Sequence, residues 1–249
     1  MHWNLVGKDS FLSSSWDGTV KIWRPDSLVG NAGVGGDDLP AATLATRTCT
    51  YSAQFSPHAR DIISCVGSDS MLRMYDLRIG DWPVVQFGVH DAAAGGTGAK
   101  GSVAVQPSEA LTHDWNKYRD SVLATAGVDR AIRTFDVRKP AAGPLSVMAG
   151  HEYAVRKIAW SPHRADVLLS ASYDMTCRMW IDDAGTPGAK GTGAGIGAGG
   201  VRGREAGRMG RHTEFVTGVD WCLFGAEGWC ASCGWDERVL IWNAAALMT

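Results

Sequence analysis

The chain has 249 residues, 45% of them hydrophobic, and its 24 Lys and Arg against 26 Asp and Glu leave a formal charge of −2. Near-neutral charge without a long like-charge block excludes the electrostatic footprint of a general nucleic-acid binder. No 18 apolar residues run uninterrupted, and Met1 to Lys8 lacks the basic region and apolar run of a secretory signal, so neither a membrane span nor secretion is expected.

Eleven tryptophans and 31 glycines prompt a search for repeats, and five appear in chain order. They end in Ser15-Trp16-Asp17-Gly18-Thr19-Val20-Lys21-Ile22-Trp23, then in Gly67 to Tyr75, Gly127 to Phe135, Ser172 to Trp180 and Gly234 to Trp242. In each, an Asp stands six residues before the closing aromatic. A second aromatic stands 14 residues before that Asp at Trp3, Phe55, Trp115 and Trp160, and 15 before it at Trp221. Between these markers the residues alternate, as in Val20-Lys21-Ile22-Trp23, or run apolar, as in Val167-Leu168-Leu169-Ser170-Ala171. Both are strand patterns, and helical periodicity is nowhere sustained. Each unit reads as strand, turn, strand, tight turn, strand, with the Asp in the tight turn.

The repeats span about 1–23 (partial), 41–76, 84–136, 145–181 and 208–243 of one domain over 1–249. Gly/Ala-rich tracts at 30–38 and 184–207, between repeats, and at 92–101, inserted within the third, are expected to be flexible excursions, because they bury too little apolar surface to offset ordering. The last contains Gly195-Ile196-Gly197-Ala198-Gly199-Gly200, but no βαβ pattern surrounds it to make a dinucleotide site. Six cysteines are too sparse for a disulfide scaffold, and Cys230-x-x-Cys233 lacks the second pair that a zinc site needs. These thiols read as strand packing.

Two sets of residues recur at matching spacing: His151, Ser170, Asp174 and Trp180, and His212, Ser232, Asp236 and Trp242. A hydrolase triad seldom comes in tandem copies, and an indole N–H can only donate, so a structural network is expected and no catalytic residue, metal or cofactor is assigned. Repeat three offers Thr125, Asp129 and Phe135, with His90 cut off by the glycine tract; repeat two offers Cys65, Asp69 and Tyr75 with no histidine on the spacing. Those two are expected to hold together mainly by packing.

With Gly150-His151 nine residues before Trp160 and Arg211-His212 nine before Trp221, the chain resembles a WD-repeat β-propeller, an all-β fold of four-stranded blades. In that resemblance Asp orients His, His bonds Ser and Ser bonds Trp. The first repeat starts inside a strand, so a fragment of a six- or seven-bladed parent is expected. More specific wording lies in Phe11 to Trp23, His151 to His163, Leu168 to Trp180, Thr213 to Trp221 and Ala231 to Trp242, which resemble the WD-repeat peroxin family that receives the type-2 peroxisomal targeting signal. That resemblance covers roughly half the chain and implies a non-enzymatic receptor. It would shuttle between cytoplasm and peroxisome, binding matrix cargo through an N-terminal amphipathic helix together with a co-receptor peroxin, and meeting the peroxisomal docking machinery. Another propeller adaptor, histone-binding or a ubiquitin-ligase substrate module, shares every repeat feature and is the alternative.

A basic amphipathic helix needs apolar anchors and carboxylates. In the resembled fold, residues just before the tight-turn Asp and just after the Gly-His turn share the narrower face. The candidates there are Trp16, Tyr51, Glu109, Val128, Glu152, Tyr153, Arg156, Tyr173, Glu214, Phe215 and Trp235. Trp16, Tyr173 and Trp235 would supply the apolar floor and Glu109, Glu152 and Glu214 the charge.

Overall fold

The computed structural model describes residues 1–25, 39–90, 108–185 and 201–247, and the tracts 30–38 and 92–101 with the Gly195 to Gly200 motif lie outside them. The chain forms two compact units, Met1–Gly88 and Val89–Thr249. Apart from short 3-10 turns, the described elements are strands.

The first unit holds two antiparallel sheets. One orders β1 (His2–Trp3), β2 (Phe11–Ser14), β3 (Thr19–Trp23) and β4 (Ala42–Ala45); the other orders β5 (Thr50–Phe55), β6 (Ile62–Gly67), β7 (Met71–Asp76) and β8 (Val85–Gly88). Alternation in β3 sends Val20 and Ile22 inward, where they meet Leu12, Leu44, Phe55, Ile63 and Tyr75 in one core between the two sheets.

The second unit holds three sheets. β9 (Ala110–Trp115), β10 (Val122–Gly127), β11 (Ala131–Asp136) and β12 (Ser146–Ala149) form the first. The next is β13 (Val155–Trp160), β14 (Val167–Ser172) and β15 (Cys177–Ile181); after it come β16 (Val201–Arg202), which pairs in parallel with β12, and β17 (Arg204–Met209), which pairs with β15. The last sheet is β18 (Val216–Trp221), β19 (Trp229–Gly234) and β20 (Val239–Asn243). β10 and β14 are buried along their whole length, which explains their continuous apolar runs. Trp160, Leu168 and Trp180 pack against Val122, Ala124 and Met148, while Val167, Leu169 and Met179 pack against Val219 and Trp242.

The strand at Arg204–Met209 corrects one expectation, since Arg204 to Gly207 belongs to a paired strand and not to a flexible tract. Between β16 and β17, Gly203 leaves no room for a side chain: a Cβ there would stand 2.4 Å from Met148 Cγ. The Gly-rich composition that suggested a loop is here the condition for the chain to cross from one sheet edge to the next.

All five tight turns are built alike. The Asp side chain accepts a hydrogen bond from the backbone N–H two residues on: Thr19, Met71, Ala131, Thr176 and Arg238. The residue after the Asp takes positive φ in every turn, as Gly18, Ser70, Arg130, Met175 and Glu237. The next layer links sheets within a unit: Asn4 Nδ2 donates to the Arg60 carbonyl, and at the same point of its own repeat Asn116 Nδ2 donates to the Ala165 carbonyl.

Candidate functional site

The fourth and fifth repeats carry the polar network that their spacing predicts. His151 Nδ1 lies 2.7 Å from Asp174 and its Nε2 2.6 Å from Ser170 Oγ, which accepts the Trp180 indole N–H at 2.8 Å. His212, Asp236, Ser232 and Trp242 repeat this at 2.8, 2.8 and 3.1 Å. Burial pushes the His151 imidazole down, partly offset by Asp174. A neutral ring closes the proton count: Trp180 donates to Ser170, Ser170 to His151, and His151 to Asp174. Burial alone would raise the Asp174 carboxyl, but hydrogen bonds from His151 and Thr176 outweigh it and hold it well below the usual carboxylate range. Both serines are buried and spend their oxygens inside the blade.

This arrangement fixes the sign of a pH effect. Because His151 titrates lower when folded, its contribution to stability is present above its ordinary pKa near 6.5 and is lost as pH falls below that value. The urea midpoint is expected to decline from pH 7 to pH 5, and less steeply in His151→Asn; equal slopes would show that His151 does not carry the effect.

The other repeats hold by more than packing, which corrects the sequence reading. His90 is buried, with Nδ1 3.0 Å from Asp129 and 2.5 Å from Arg133 Nη1, and Arg133 also pairs with Asp129. The 16-residue insertion displaced His90 in sequence and not in space. Burial would raise Asp129, yet its hydrogen bond and charge pairing with His90 hold it at about 2. In repeat two, Arg73 grips Asp69 at 3.2 and 2.5 Å. The fourth repeat adds the same element, Arg178 to Asp174 at 3.0 Å, together with Arg178 to Glu205 at 2.9 Å. The sequence signal for this pairing is an Arg four residues after the turn Asp, as at Arg73, Arg133 and Arg178.

At this end of four of the five sheets the residue before the Asp is pinned by its backbone N–H: Ser68 to Cys49, Val128 to Glu109, Tyr173 to Ala154 and Trp235 to Phe215. In the second unit this gathers Tyr173, Phe215 and Trp235, with ring centroids 5.0, 5.2 and 6.4 Å apart. Trp235 is 64% exposed and Tyr153 61%. Glu152 and Glu214 are exposed beside the turns, where the backbone N–H groups of Glu152 and Thr213 donate to Asp174 and Asp236. Arg156 sits on a β-bulge, skipped in the pairing of β13 with β14, and so leaves the regular alternation. Leu111 holds the corresponding bulge of the preceding sheet, a position that no spacing marked. Val128 is exposed and Glu109 half-buried. In the first unit Trp16, 76% exposed, meets Tyr51 edge-on at 6.2 Å, and Tyr51 occupies the bulge of β5.

Cys230 is buried and Cys233 exposed, three residues apart on β19 and therefore on opposite faces, so this pair does not converge on a metal. Cys222 is also exposed, which corrects the reading of every thiol as packing. Among the described residues no three His, Cys, Asp or Glu side chains are grouped to hold a metal ion, and no helix is long and apolar enough to cross a membrane.

The WD domain, G-beta repeat family (WD40) matches residues 6–24, 142–180 and 203–243. The chain is 34% identical to the peroxisomal targeting signal 2 receptor of Saccharomyces cerevisiae, over 97% of this chain and 70% of that protein. It is 34% identical to the receptor of the same name from Komagataella phaffii, over 80% of this chain and 50% of that one. The Schizosaccharomyces pombe receptor is 30% identical over 97% of this chain and 64% of its own length.

Proposed function

This chain belongs to the peroxisomal targeting signal 2 receptor family of WD-repeat proteins, and from that premise we propose that it receives matrix proteins bearing an N-terminal type-2 signal for import into peroxisomes. It does so with a co-receptor, moving between cytoplasm and peroxisome and meeting the peroxisomal docking machinery there. The observation that carries the reading is the aromatic cluster of half-buried Tyr173 and Phe215 with exposed Trp235, beside the exposed Glu152 and Glu214. An amphipathic helix with cationic residues needs both an apolar floor and carboxylates, and Trp and Tyr are the side chains that most often dominate such contacts.

Within the second unit Tyr153, Arg156, Val128 and Glu109 extend the recognition surface; Trp16 and Tyr51 are the matching positions of the first unit. Fluorescence-anisotropy titration of a labelled type-2 signal peptide, with and without a co-receptor fragment, tests the assignment. Trp235→Ala is expected to weaken binding about thirtyfold, the loss of one anchor worth about 2 kcal/mol, with the melting curve unchanged. Unchanged affinity would remove Trp235 from the site. Failure of the parent chain to bind in either condition would overturn the receptor reading.

A further inference from the structure

The seam between the third and fourth repeats and the seam between the fourth and fifth are built from matching positions. Asn116 and Ser161 each follow the tryptophan that ends the first strand of their sheet, and each side-chain oxygen accepts the backbone N–H groups two and three residues on. Asp182 and Ala244 each stand two residues after the tryptophan of the last turn motif, and each donates its N–H to the carbonyl just before the middle strand, at Asp166 or Gly228.

The first seam is filled. Arg119 crosses it to Asp182 at 2.5 Å and sets its guanidinium 5.5 Å from the Trp160 ring centroid, while the Asn116 amide reaches the Ala165 carbonyl at 2.8 Å. In the second seam the crossing groups are gone. Ala244 replaces the carboxylate, Ser161 has no amide to send across, and Arg164, the counterpart of Arg119, turns back to its own Asp166 at 2.9 and 3.3 Å. A cavity of about 330 Å³ opens there, lined by apolar Val167, Met179 and Ala244 together with Trp221, Arg164 and Glu227. That volume falls in the range of binding pockets.

What is missing from this seam indicates what fits it. Trp221 is the counterpart of Trp160, and its indole N–H is held by the Ala159 carbonyl at 2.9 Å, so the ring is fixed in place. Among the described residues no cation stands over it. Glu227 is exposed and makes no ion pair among the described residues. Because Asp166 already neutralises Arg164, Glu227 leaves the cavity wall with a net negative charge. An indole beside an unpaired carboxylate is the setting that Trp160 and Asp182 give to Arg119. The loop that carries Glu227 also exposes Leu223 at 59% and Phe224 at 80%.

We propose that this cavity receives an arginine side chain from a partner polypeptide, its guanidinium over Trp221 and paired with Glu227, with the apolar neighbours of that arginine meeting Leu223 and Phe224. Gly228, on the cavity wall, and Trp235 flank opposite ends of β19, and the cavity shares no residue with the targeting-signal surface, so the site is independent of the receptor reading.

Calorimetric titration of the full chain with acetyl-Phe-Arg-Phe amide tests it, with the citrulline peptide, which keeps the shape and loses the charge, as control. The arginine peptide is expected to saturate below about 1 mM. The citrulline peptide should bind about tenfold more weakly, the cost of losing a charge-assisted hydrogen bond. Glu227→Gln, at an exposed position, should weaken the arginine peptide severalfold and leave the response to a type-2 signal peptide as it is in the parent. Ala245→Phe, also exposed and on the cavity wall, should abolish binding by filling the space. The proposal is overturned if the arginine peptide does not saturate in that range, if the citrulline peptide binds as well, or if either variant binds like the parent.

Discussion

Replacing Asp174 by Ala is expected to lower the unfolding free energy by about 3–5 kcal/mol, the usual cost of removing one partner from a buried charged cluster. Its two oxygens serve His151, Arg178, the Thr176 N–H and hydroxyl, and the Glu152 N–H. Arg178 is only 2% exposed and would keep Glu205 and the Thr176 hydroxyl alone. The stranded groups set the magnitude, since the guanidinium and imidazole cannot be rehydrated without opening the sheet. Asp174→Asn keeps an acceptor for His151 and should lose clearly less. Asp17→Ala is the control: this aspartate turns the chain in the same way but serves only its own exposed turn, with neither His nor Arg upon it. Urea unfolding monitored by circular dichroism separates the three. Equal losses at Asp17 and Asp174 would mean that the turn, and not the network, carries the stability.

The contrast between those two aspartates also explains which features are legible in the sequence. Turn chemistry is local, so the Asp spacing alone identifies five tight turns, and His-Ser-Trp spacing alone identifies two complete networks. His90 escapes because its partner Asp129 stands 39 residues on, against 23 from His151 to Asp174, and the glycine tract between them hides the register. Arg204 to Gly207 escapes for a related reason: its Gly-rich setting suppresses the alternation that marks a strand, while the pairing with β15 that makes it one is long-range. Within the candidate surface, Trp235 and Tyr173 are legible as neighbours of the turn Asp. Their convergence with Phe215 is not, because it depends on how two sheets stand side by side.

The same limit hides a buried ionic tie between neighbouring sheets of the second unit, and it gives the second large effect. Asp182, whose side chain is fully buried, follows β15 and accepts hydrogen bonds from Arg119 at 2.5 Å and from Ser146 at 2.6 Å. Arg119 belongs to the turn between β9 and β10, Ser146 to β12, so one carboxylate draws two elements of the preceding sheet onto its own. Ser146 passes the link inward to Thr134 at 2.8 Å, and the Arg119 guanidinium lies 5.5 Å from the Trp160 ring centroid. Removing either charge leaves the other in a low-dielectric seam, so Arg119→Ala and Asp182→Ala should each cost about 3–4 kcal/mol. The double variant should cost well under the sum, because the second substitution removes the charge that the first left unpaired. A hydrophobic pair, Arg119→Met with Asp182→Leu, should recover part of the loss, since apolar packing restores contact with Trp160 without the desolvation of two ions. Strict additivity in urea unfolding would show that the two residues act separately, and would remove this bridge as the reason the sheets stay in register.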